Sequence, residues 1–252
     1  MRHSVERVLS KSGLCSRKQA LVLVRAGRVR LNGRCVQDAL EPCDPARDDL
    51  RVDGQRVAAA ERIYVALHKP RGVLTTRVDP SGRPTVYGLL ADLDAWVVPV
   101  GRLDGDTSGL LLFTNDTAFA ELITNPQSHV EKVYVVTARP RLFDAALQRL
   151  ERGVELSDGP TRAARVVKLG DRGSSTRFEL ALTEGRNRQV RRMVRAVGSK
   201  VERLHRRSIG PLELGELPSG AWRRLERREV LALRAAARAS AEARAPGRRR
   251  GG

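Results

Sequence analysis

Two carboxylates and a guanidinium occur close together in the segment Val100-Gly-Arg-Leu-Asp-Gly-Asp-Thr-Ser-Gly109, as Asp104, Asp106 and Arg102. Apolar residues precede this segment, and the apolar run 110–113 follows it, which predicts two buried strands joined by a tight polar loop. Charged side chains on a loop that is held by rigid strands are a common arrangement for a catalytic or binding site. We therefore expect this loop to be the functional centre of the chain.

Three kinds of chemistry use acidic residues in such a loop, and a purely structural explanation competes with all of them. Aspartates in tight turns commonly accept hydrogen bonds from backbone N–H groups and have no catalytic role. A phosphotransferase loop of the form Asp-x-Asp-x-Thr fits poorly, because Ser108 occupies the fifth position. The same serine interrupts an aspartic-protease Asp-Thr-Gly loop, and the chain has no second copy of it. The third kind is a nucleophilic carboxylate that acts on a nucleoside.

The composition indicates a polyanionic partner. The 252 residues carry a formal net charge of +18, and the pI is about 11.2. Nucleic acid is the simplest such partner, and an acidic membrane surface is the alternative. Arginine far outnumbers lysine, which a high-GC genome would also produce, so part of the charge can be compositional.

The sequence argues against a membrane or secreted location. No apolar run approaches the roughly 20 residues of a membrane span, and the first residues lead into an amphipathic pattern and not into a signal peptide. The cysteines lack CxxC spacing, so we expect reduced thiols in the cytoplasm and neither disulfides nor a zinc site. These cysteines are Cys15, Cys35 and Cys43.

Residues 1–60 are predicted to form a small independent module. Two short helices are expected within residues 5–27, with Gly13 ending the first, Ser16 capping the second and Gly27 closing it. An Asn-Gly turn and an Asp-Gly turn then each follow a short strand. Basic side chains would crowd one side of this module: Arg17, Lys18, Arg25, Arg28 and Arg30.

This module resembles the small RNA-binding domain named after ribosomal protein S-four. The similarity is carried by three elements in order: the helix start Gly13-Leu-Cys-Ser-Arg-Lys-Gln-Ala20, the turn Ala26-Gly-Arg-Val-Arg-Leu-Asn-Gly33 and the closing Val52-Asp-Gly54. A basic amphipathic helix with a solvated face is the alternative. The resemblance implies that Arg17, Lys18 and Arg28 contact RNA.

A larger domain is expected over residues 61–240, after a linker at 55–62 and before a disordered basic tail at 241–252. Two basic loops, 68–77 and 79–85, contain prolines and glycines, which indicates shaped turns. A glycine turn at 183–186 leads into a helix that carries several arginines. Cations so dense on one helix are unfavourable unless an anion or a carboxylate meets them.

At the central loop the sequence closely resembles the ribosomal-RNA pseudouridine synthases of the RsuA/RluB type. Thr117 departs from the pattern, since the family usually has glycine there, but it lies beyond the loop. With the N-terminal module, the resemblance spans residue 3 to about residue 235. Four further segments agree in order: Lys69-Pro-Arg-Gly72, Asp79-Pro-Ser-Gly-Arg-Pro-Thr-Val86, Lys132-Val-Tyr134 and Gly185-Arg-Asn-Arg-Gln-Val-Arg-Arg-Met193.

The resemblance implies an α+β fold with a mixed, largely antiparallel catalytic sheet, and it implies three catalytic residues. Asp104 would act at the ribose while the uracil glycosidic bond breaks and re-forms through carbon five. Tyr134 would stack on the target base. Arg191 would pair with Asp104 and keep it charged, while Asp106 would shape the loop and accept backbone hydrogen bonds.

The resemblance also implies that the target nucleotide is flipped out, so basic residues must hold the displaced RNA backbone. No net redox or hydrolytic step occurs, so no metal and no organic cofactor is expected. We expect a cytoplasmic monomer that binds ribosomal RNA or a ribosome-assembly intermediate. The residues expected to contact phosphate are Lys69, Arg71, Arg77, Arg83, Arg102, Arg186 and Arg188.

Within the family, the two basic loops favour the RluB branch, which modifies large-subunit ribosomal RNA. The first alternative is the small-subunit branch. The second is a non-catalytic RNA-binding assembly factor that kept the fold, and the intact set of Asp104, Tyr134 and Arg191 argues against it.

Overall fold

The computed structural model describes residues 2–57 and 61–242. Most of the expected basic tail, from residue 243 on, and part of the expected linker, residues 58–60, lie outside the described residues. The domain limits expected from the sequence stay predictions. By their internal contacts, the described residues group into two compact units, one within 1–64, 93–98 and 113–117 and the other within 65–92, 99–112 and 118–252.

The N-terminal residues form two helices, a two-stranded sheet of β1 and β4, and a four-stranded sheet in the order β3-β2-β5-β6. The residues expected to begin the linker, Gln55 and Arg56, instead form the last of these strands. The elements are β1 (His3–Ser4), α1 (Val5–Lys11), α2 (Arg17–Arg25), β2 (Val29–Leu31), β3 (Arg34–Cys35), β4 (Pro42–Cys43), β5 (Leu50–Val52) and β6 (Gln55–Arg56).

Local sequence signals set the limits of these elements. The Ser16 hydroxyl accepts a hydrogen bond from the Gln19 backbone N–H at 3.2 Å, and the Gln19 side chain accepts one from the Ser16 N–H at 3.0 Å, so the predicted cap is a complete capping box. Asn32 and Asp53 have positive φ angles of 52° and 50°, and a glycine follows each of them. The predicted Asn-Gly and Asp-Gly hairpin turns are therefore confirmed.

The remaining elements include a nine-stranded sheet. Seven of its strands lie in the order β13-β14-β10-β15-β9-β7-β17, and the other two, β16 and β8, pair with β15 and β9 respectively. Short 3-10 helices lie at Gly88–Leu90 and Pro126–Ser128. The elements are β7 (Tyr64–Lys69), β8 (Val98–Val100), β9 (Ser108–Thr114), α3 (Thr117–Thr124), β10 (Lys132–Arg139), α4 (Asp144–Arg152), β11 (Glu155–Leu156), β12 (Gly159–Pro160), β13 (Arg165–Arg172), β14 (Ser175–Leu182), α5 (Gln189–Ala196), β15 (Lys200–Ile209), β16 (Leu212–Glu213), β17 (Trp222–Arg224) and α6 (Arg227–Glu242).

The sheet is mixed and mostly antiparallel, as predicted. Strand β10 pairs antiparallel with β14 and β15, and β17 pairs antiparallel with β7. The pair β9–β15 is parallel, with Ser108 opposite His205 and Gly109 opposite Arg206. This parallel pair brings the start of β9, where the charged loop ends, beside β15.

Helices α4 and α5 supply the apolar cover for one side of this sheet. Their buried side chains join those of three strands in one hydrophobic cluster, and burial of such side chains is the main favourable term in folding. Tyr134 packs against the edge of this cluster. Its fully or nearly fully buried members include Leu147, Leu150, Met193, Val194, Val136, Phe178, Leu180 and Leu204.

Gly109 allows the parallel strands to approach closely. Its φ angle is +112°, and a Cβ atom built on it would lie 2.2 Å from the Arg206 carbonyl oxygen and 2.5 Å from the Arg206 nitrogen. Side chains essentially never make contacts this short, so only glycine fits here. Gly109, two residues after the charged loop, is thus held against β15.

Within the part of the chain that the structure describes, no helix is long and apolar enough to cross a membrane.

Candidate active site

The charged segment forms the predicted loop between two strands, at residues 101–107 between β8 and β9. A turn in this loop is closed by a hydrogen bond of 3.0 Å from the Thr107 N–H to the Asp104 carbonyl. The Asp104 and Asp106 side chains are 33% and 45% exposed. Both carboxylates therefore remain accessible although the loop backbone is held in place.

A buried lysine holds this loop from beneath. Lys69 has no exposed surface, and its ammonium group donates to the carbonyls of Thr107 at 2.7 Å and Pro70 at 3.0 Å. The Gly72 N–H donates to the Gly105 carbonyl at 2.7 Å. The segment that begins at Lys69 is thus hydrogen-bonded to the loop at successive points.

The predicted contact of Lys69 with RNA is wrong, because a fully buried side chain cannot reach a phosphate. Burial lowers the pKa of Lys69 to about 8, while the nearby carboxylates of Asp106 and Asp104 favour its charged form. Lysine can enter a protein interior only with such partners. Lys69 therefore supports the position of the loop.

The two carboxylates pair with arginines in a different way from the prediction. Arg191 forms its ion pair with Asp106, at 2.9 Å, and none with Asp104. Arg188 lies 3.4 Å from the Asp104 carboxylate and 3.7 Å from that of Asp106. The predicted Arg191–Asp104 pair is thus replaced by two pairs, Arg191–Asp106 and Arg188–Asp104. Asp106 was predicted to accept hydrogen bonds from backbone N–H groups, and it instead pairs with a guanidinium.

Helix α5 explains this exchange of partners. Arg188 is the N-cap residue of the helix and has a left-handed backbone conformation, with φ 46° and ψ 34°. It precedes Arg191 by three residues, so both side chains reach the loop from adjacent points at the start of the helix. Burial lowers the pKa of Arg191, although Asp106 favours the charged form. An arginine nonetheless stays protonated in a protein.

Tyr134 and Asp104 line the same pocket, and the predicted stacking of Tyr134 on the target base stays a prediction. In the sheet Tyr134 stands opposite Arg206 of β15 and Leu180 of β14. Its half-buried side chain and Asp104 line one small pocket that opens to solvent and has a volume of about 90 Å³. The pocket is lined by Arg102, Leu103, Asp104, Thr107, Tyr134, Leu182, Glu184, Gly185, Arg186, Arg188, Gln189, Val190, Arg191 and Leu204.

Two of the arginines predicted to contact phosphate are exposed near this pocket. Arg102 lines it, and Arg71 is close enough to lower the pKa of Arg191 through charge repulsion. Neither of them forms an ion pair with any residue of the described chain. Arg77 is also exposed, and its guanidinium lies over the Tyr87 ring at 4.6 Å.

Three other predicted RNA contacts are occupied by partners within the protein. Arg83 forms a bidentate ion pair with Asp79, in which its Nε and Nη2 donate to the two carboxylate oxygens at 3.0 and 2.8 Å. Arg28 pairs in the same way with Asp53. Arg186 bonds to the Glu184 carboxylate at 3.2 Å and to the Gly159 carbonyl at 2.9 Å, so it fastens the β11–β12 turn. These arginines shape loops, and their predicted contact with RNA stays a prediction.

The exposed cations of the N-terminal helix α2 fit their prediction better. Arg17 and Lys18 lie in its first turn, are exposed, and have no ion-pair partner among the residues with described positions.

Sequence reasoning missed one buried arginine, which bonds to β9 shortly after the charged loop. Arg206 is 3% exposed, and its Nε donates to the Leu110 carbonyl at 2.7 Å. The side chains of a strand point alternately to the two faces of the sheet. Leu204 and Arg206 are two positions apart in β15, so Arg206 must share the face of the apolar Leu204, and this spacing predicts its burial. Burial, followed by repulsion from Arg206, lowers the pKa of Lys132 to about 8.

Among residues 2–57 and 61–242, no group of three or more His, Cys, Asp or Glu side chains is placed to hold a metal ion.

The chain matches two family models, RNA pseudouridylate synthase over residues 63–196 and S4 domain over residues 5–46. It is similar to the ribosomal large subunit pseudouridine synthase B of Bacillus subtilis, with 37% identity over 92% of this chain and 96% of that protein. The protein of the same name from Escherichia coli K12 is 38% identical over 93% of this chain and 83% of its own length.

An RNA pseudouridine synthase of Aquifex aeolicus, which is described as uncharacterized, is 37% identical over 91% of this chain and 92% of that protein. The crystal structure of a pseudouridylate synthase superposes on this chain with a TM-score of 0.65 at 30% identity, covering 92% of this chain and 99% of that one. The chain therefore belongs to the RNA pseudouridylate synthase family and carries an S4 domain in its N-terminal part.

Proposed function

We propose that this enzyme converts uridine in large-subunit ribosomal RNA to pseudouridine, with Asp104 as the catalytic carboxylate. The observation that carries the proposal is the placement of Asp104 beside Tyr134 in a pocket walled by arginines. The relatives from Bacillus subtilis and Escherichia coli, named for the large subunit, match this chain over more than nine-tenths of its length. They support the same substrate here.

The reaction rearranges bonds within one nucleotide. The bond between uracil N1 and ribose C1′ breaks, the base turns, and a bond between C5 and C1′ forms. The proton on C5 leaves and N1 gains one, so atoms and charge balance without a metal, an oxidant or a co-substrate. A carboxylate is suited to the ribose carbon, because it can attack C1′ or stabilise positive charge that develops there.

Arg188 places a positive charge next to the proposed catalytic carboxylate. Its guanidinium lies 3.4 Å from the Asp104 carboxylate and restricts where that group can point. Arg191, paired with Asp106 and donating to the Asp106 carbonyl at 3.3 Å, instead holds the shape of the loop. Positioning of this kind matters, because attack requires alignment of the reacting atoms.

Entry of the base requires a local rearrangement. The pocket volume of about 90 Å³ is below the roughly 300–1,000 Å³ of typical ligand sites. The wall residues Arg188, 48% exposed, and Arg102, also exposed, have room to turn outward. A base flipped from its stack, at a cost of a few kcal/mol, would then lie against the Tyr134 ring.

The N-terminal S4 domain would contribute to RNA binding through the exposed cations Arg17 and Lys18. Because the proposed substrate is ribosomal RNA, we place the enzyme in the cytoplasm. We expect it to act as a monomer, and light scattering of the purified enzyme would test this.

The proposal is tested by Asp104→Asn. The amide keeps the shape of the carboxylate but is a poor nucleophile, so we expect pseudouridine formation to fall by more than about 10⁴-fold while RNA binding persists. Asp94→Asn is the matched control, because Asp94 is exposed and has no ion-pair partner in the described part of the chain.

The assay maps pseudouridine in both ribosomal RNAs from cells that lack the gene and carry either variant. Modification that survives in Asp104→Asn cells would disprove the catalytic assignment. A site that depends on the gene but lies in small-subunit RNA would disprove the proposed substrate. If no site depends on the gene, the chain is a binding factor and not a synthase.

A further inference from the structure

Helix α5 and the turn before it carry one arginine that the protein itself does not neutralise. Arg195 is exposed and has no ion-pair partner among the residues whose positions are described. The other arginines of this segment each have a carboxylate partner: Arg186 with Glu184 at 3.2 Å, Arg188 with Asp104 at 3.4 Å, Arg191 with Asp106 at 2.9 Å and Arg192 with Asp158 at 2.8 Å.

Arg195 lies in a cleft between α5 and the start of β15, with a volume of about 420 Å³. Lys200, the first residue of β15, lines the same cleft, is exposed, and also lacks an ion-pair partner in the described ranges. Among the described residues, no carboxylate lines this cleft. Its walls are Asn187, Arg188, Arg191, Arg192, Arg195, Lys200 and Val201.

The cleft continues from the active site. Arg188 and Arg191 line both the pocket that contains Asp104 and this cleft. The Nε atoms of Arg191 and Arg192 are buried and have no hydrogen-bond partner, so polar groups near the cleft are left unsatisfied. Arg195 and Lys200 add two unpaired positive charges to this cleft, and like charges repel one another unless an anion joins them.

We infer that this cleft binds the phosphate backbone of the RNA strand next to the target uridine, with Arg195 and Lys200 as the phosphate contacts. The inference rests on the proposed function, since it needs an RNA strand at Asp104. A flipped nucleotide stays joined to its neighbours, so the strand must leave the pocket along the protein surface. A cationic cleft without carboxylates is the surface that such a strand fits.

The double variant Arg195→Gln/Lys200→Gln tests this inference. Its binding to unmodified large-subunit ribosomal RNA, transcribed in vitro, is measured from about 50 to 200 mM KCl, a range over which counterion release is evident. We expect the slope of log K against log salt to become shallower by about 2, one for each contact. We expect KM to rise at least about tenfold, because two phosphate contacts are lost. We expect kcat at saturating RNA to stay within about twofold of the value for the unmodified enzyme, because neither side chain lines the pocket that contains Asp104.

Arg224→Gln/Arg227→Gln is the control, because it removes the same charge from exposed residues of β17 and α6. The charge-conserving variant Arg195→Lys/Lys200→Arg should keep the original slope. An unchanged slope in the Gln variant, or an equal change in the control, overturns the inference. An unmodified enzyme without activity on either ribosomal RNA overturns the proposed function instead.

Discussion

Gly109→Ala perturbs the joint between the catalytic loop and the sheet. The added Cβ would lie 2.2 Å from the Arg206 carbonyl oxygen, whereas ordinary contact begins at 3.4 Å, so the atoms must separate by about 1.2 Å. The atom it meets belongs to the backbone of β15, which cannot turn aside as a flexible side chain can. The parallel pairing of Ser108 with His205 and of residue 109 with Arg206 would have to open.

Two terms contribute to the expected loss of stability. An alanine at φ +112° is strained, at a cost of roughly 1–3 kcal/mol. The overlap with β15 adds about 1–3 kcal/mol more, as overpacking does in other protein interiors. The expected destabilisation is therefore about 2–6 kcal/mol. A displacement near 1 Å at the loop would lower kcat by about 10²-fold.

Gly159→Ala separates these two terms. Gly159 has a φ angle of +96°, but nothing lies within 4 Å of the Cβ position, so this variant has the strain without the overlap. Urea unfolding gives the stability of both variants, and initial rates on ribosomal RNA give kcat. If Gly109→Ala is no less stable than Gly159→Ala and retains full kcat, the close approach of β9 to β15 does not position Asp104.

Three further predictions concern residues around the loop and in the S4 domain. Asp106→Asn removes the partner of Arg191; we expect kcat to fall about 10- to 100-fold with unchanged RNA affinity, and an equal loss of affinity in binding assays would contradict this. Lys69 has a pKa of about 8 in the folded chain against an ordinary 10.5, so the unfolded chain binds more protons between these values. The free energy of unfolding of the unmodified protein should therefore rise from about pH 8 to 10.5 relative to that of Lys69→Met. If urea unfolding gives the two proteins the same pH dependence of stability, the lowered pKa of the buried Lys69 is refuted. Arg17→Gln/Lys18→Gln should make the salt dependence of RNA binding shallower by about 2, whereas the original slope in filter binding would remove α2 from the RNA path.

Local signals in the sequence were enough for many elements. The Ser16 cap and the Asn-Gly and Asp-Gly turns form as predicted, because each depends on contacts within about four residues. The strand–loop–strand pattern around Asp104 was also readable, because the polar loop is followed by the continuous apolar run 110–113, which forms the buried part of β9. The family motifs then identified the pseudouridine synthase fold, and they singled out Asp104 and Tyr134, which line one pocket.

The partners of charged side chains were not readable in the same way. An arginine can reach any carboxylate within several ångströms, so its partner depends on where the fold places both. Arg191 was predicted to meet Asp104 and instead meets Asp106, because Arg188 at the helix start reaches Asp104 first. Arg83 and Arg28 were assigned to RNA, and each has an aspartate partner in the same unit of the protein.

The sequence by itself determined the family and the charged loop, and it singled out Asp104 as the proposed reactive carboxylate, because these follow from residue types at fixed spacing. Only the tertiary structure decided which cations remain free for RNA. Lys69 and Arg195 are both basic residues of family motifs or their flanks, yet one is buried under the loop and the other faces an open cleft. Burial and charge pairing arise from contacts between distant segments, and no local pattern encodes them.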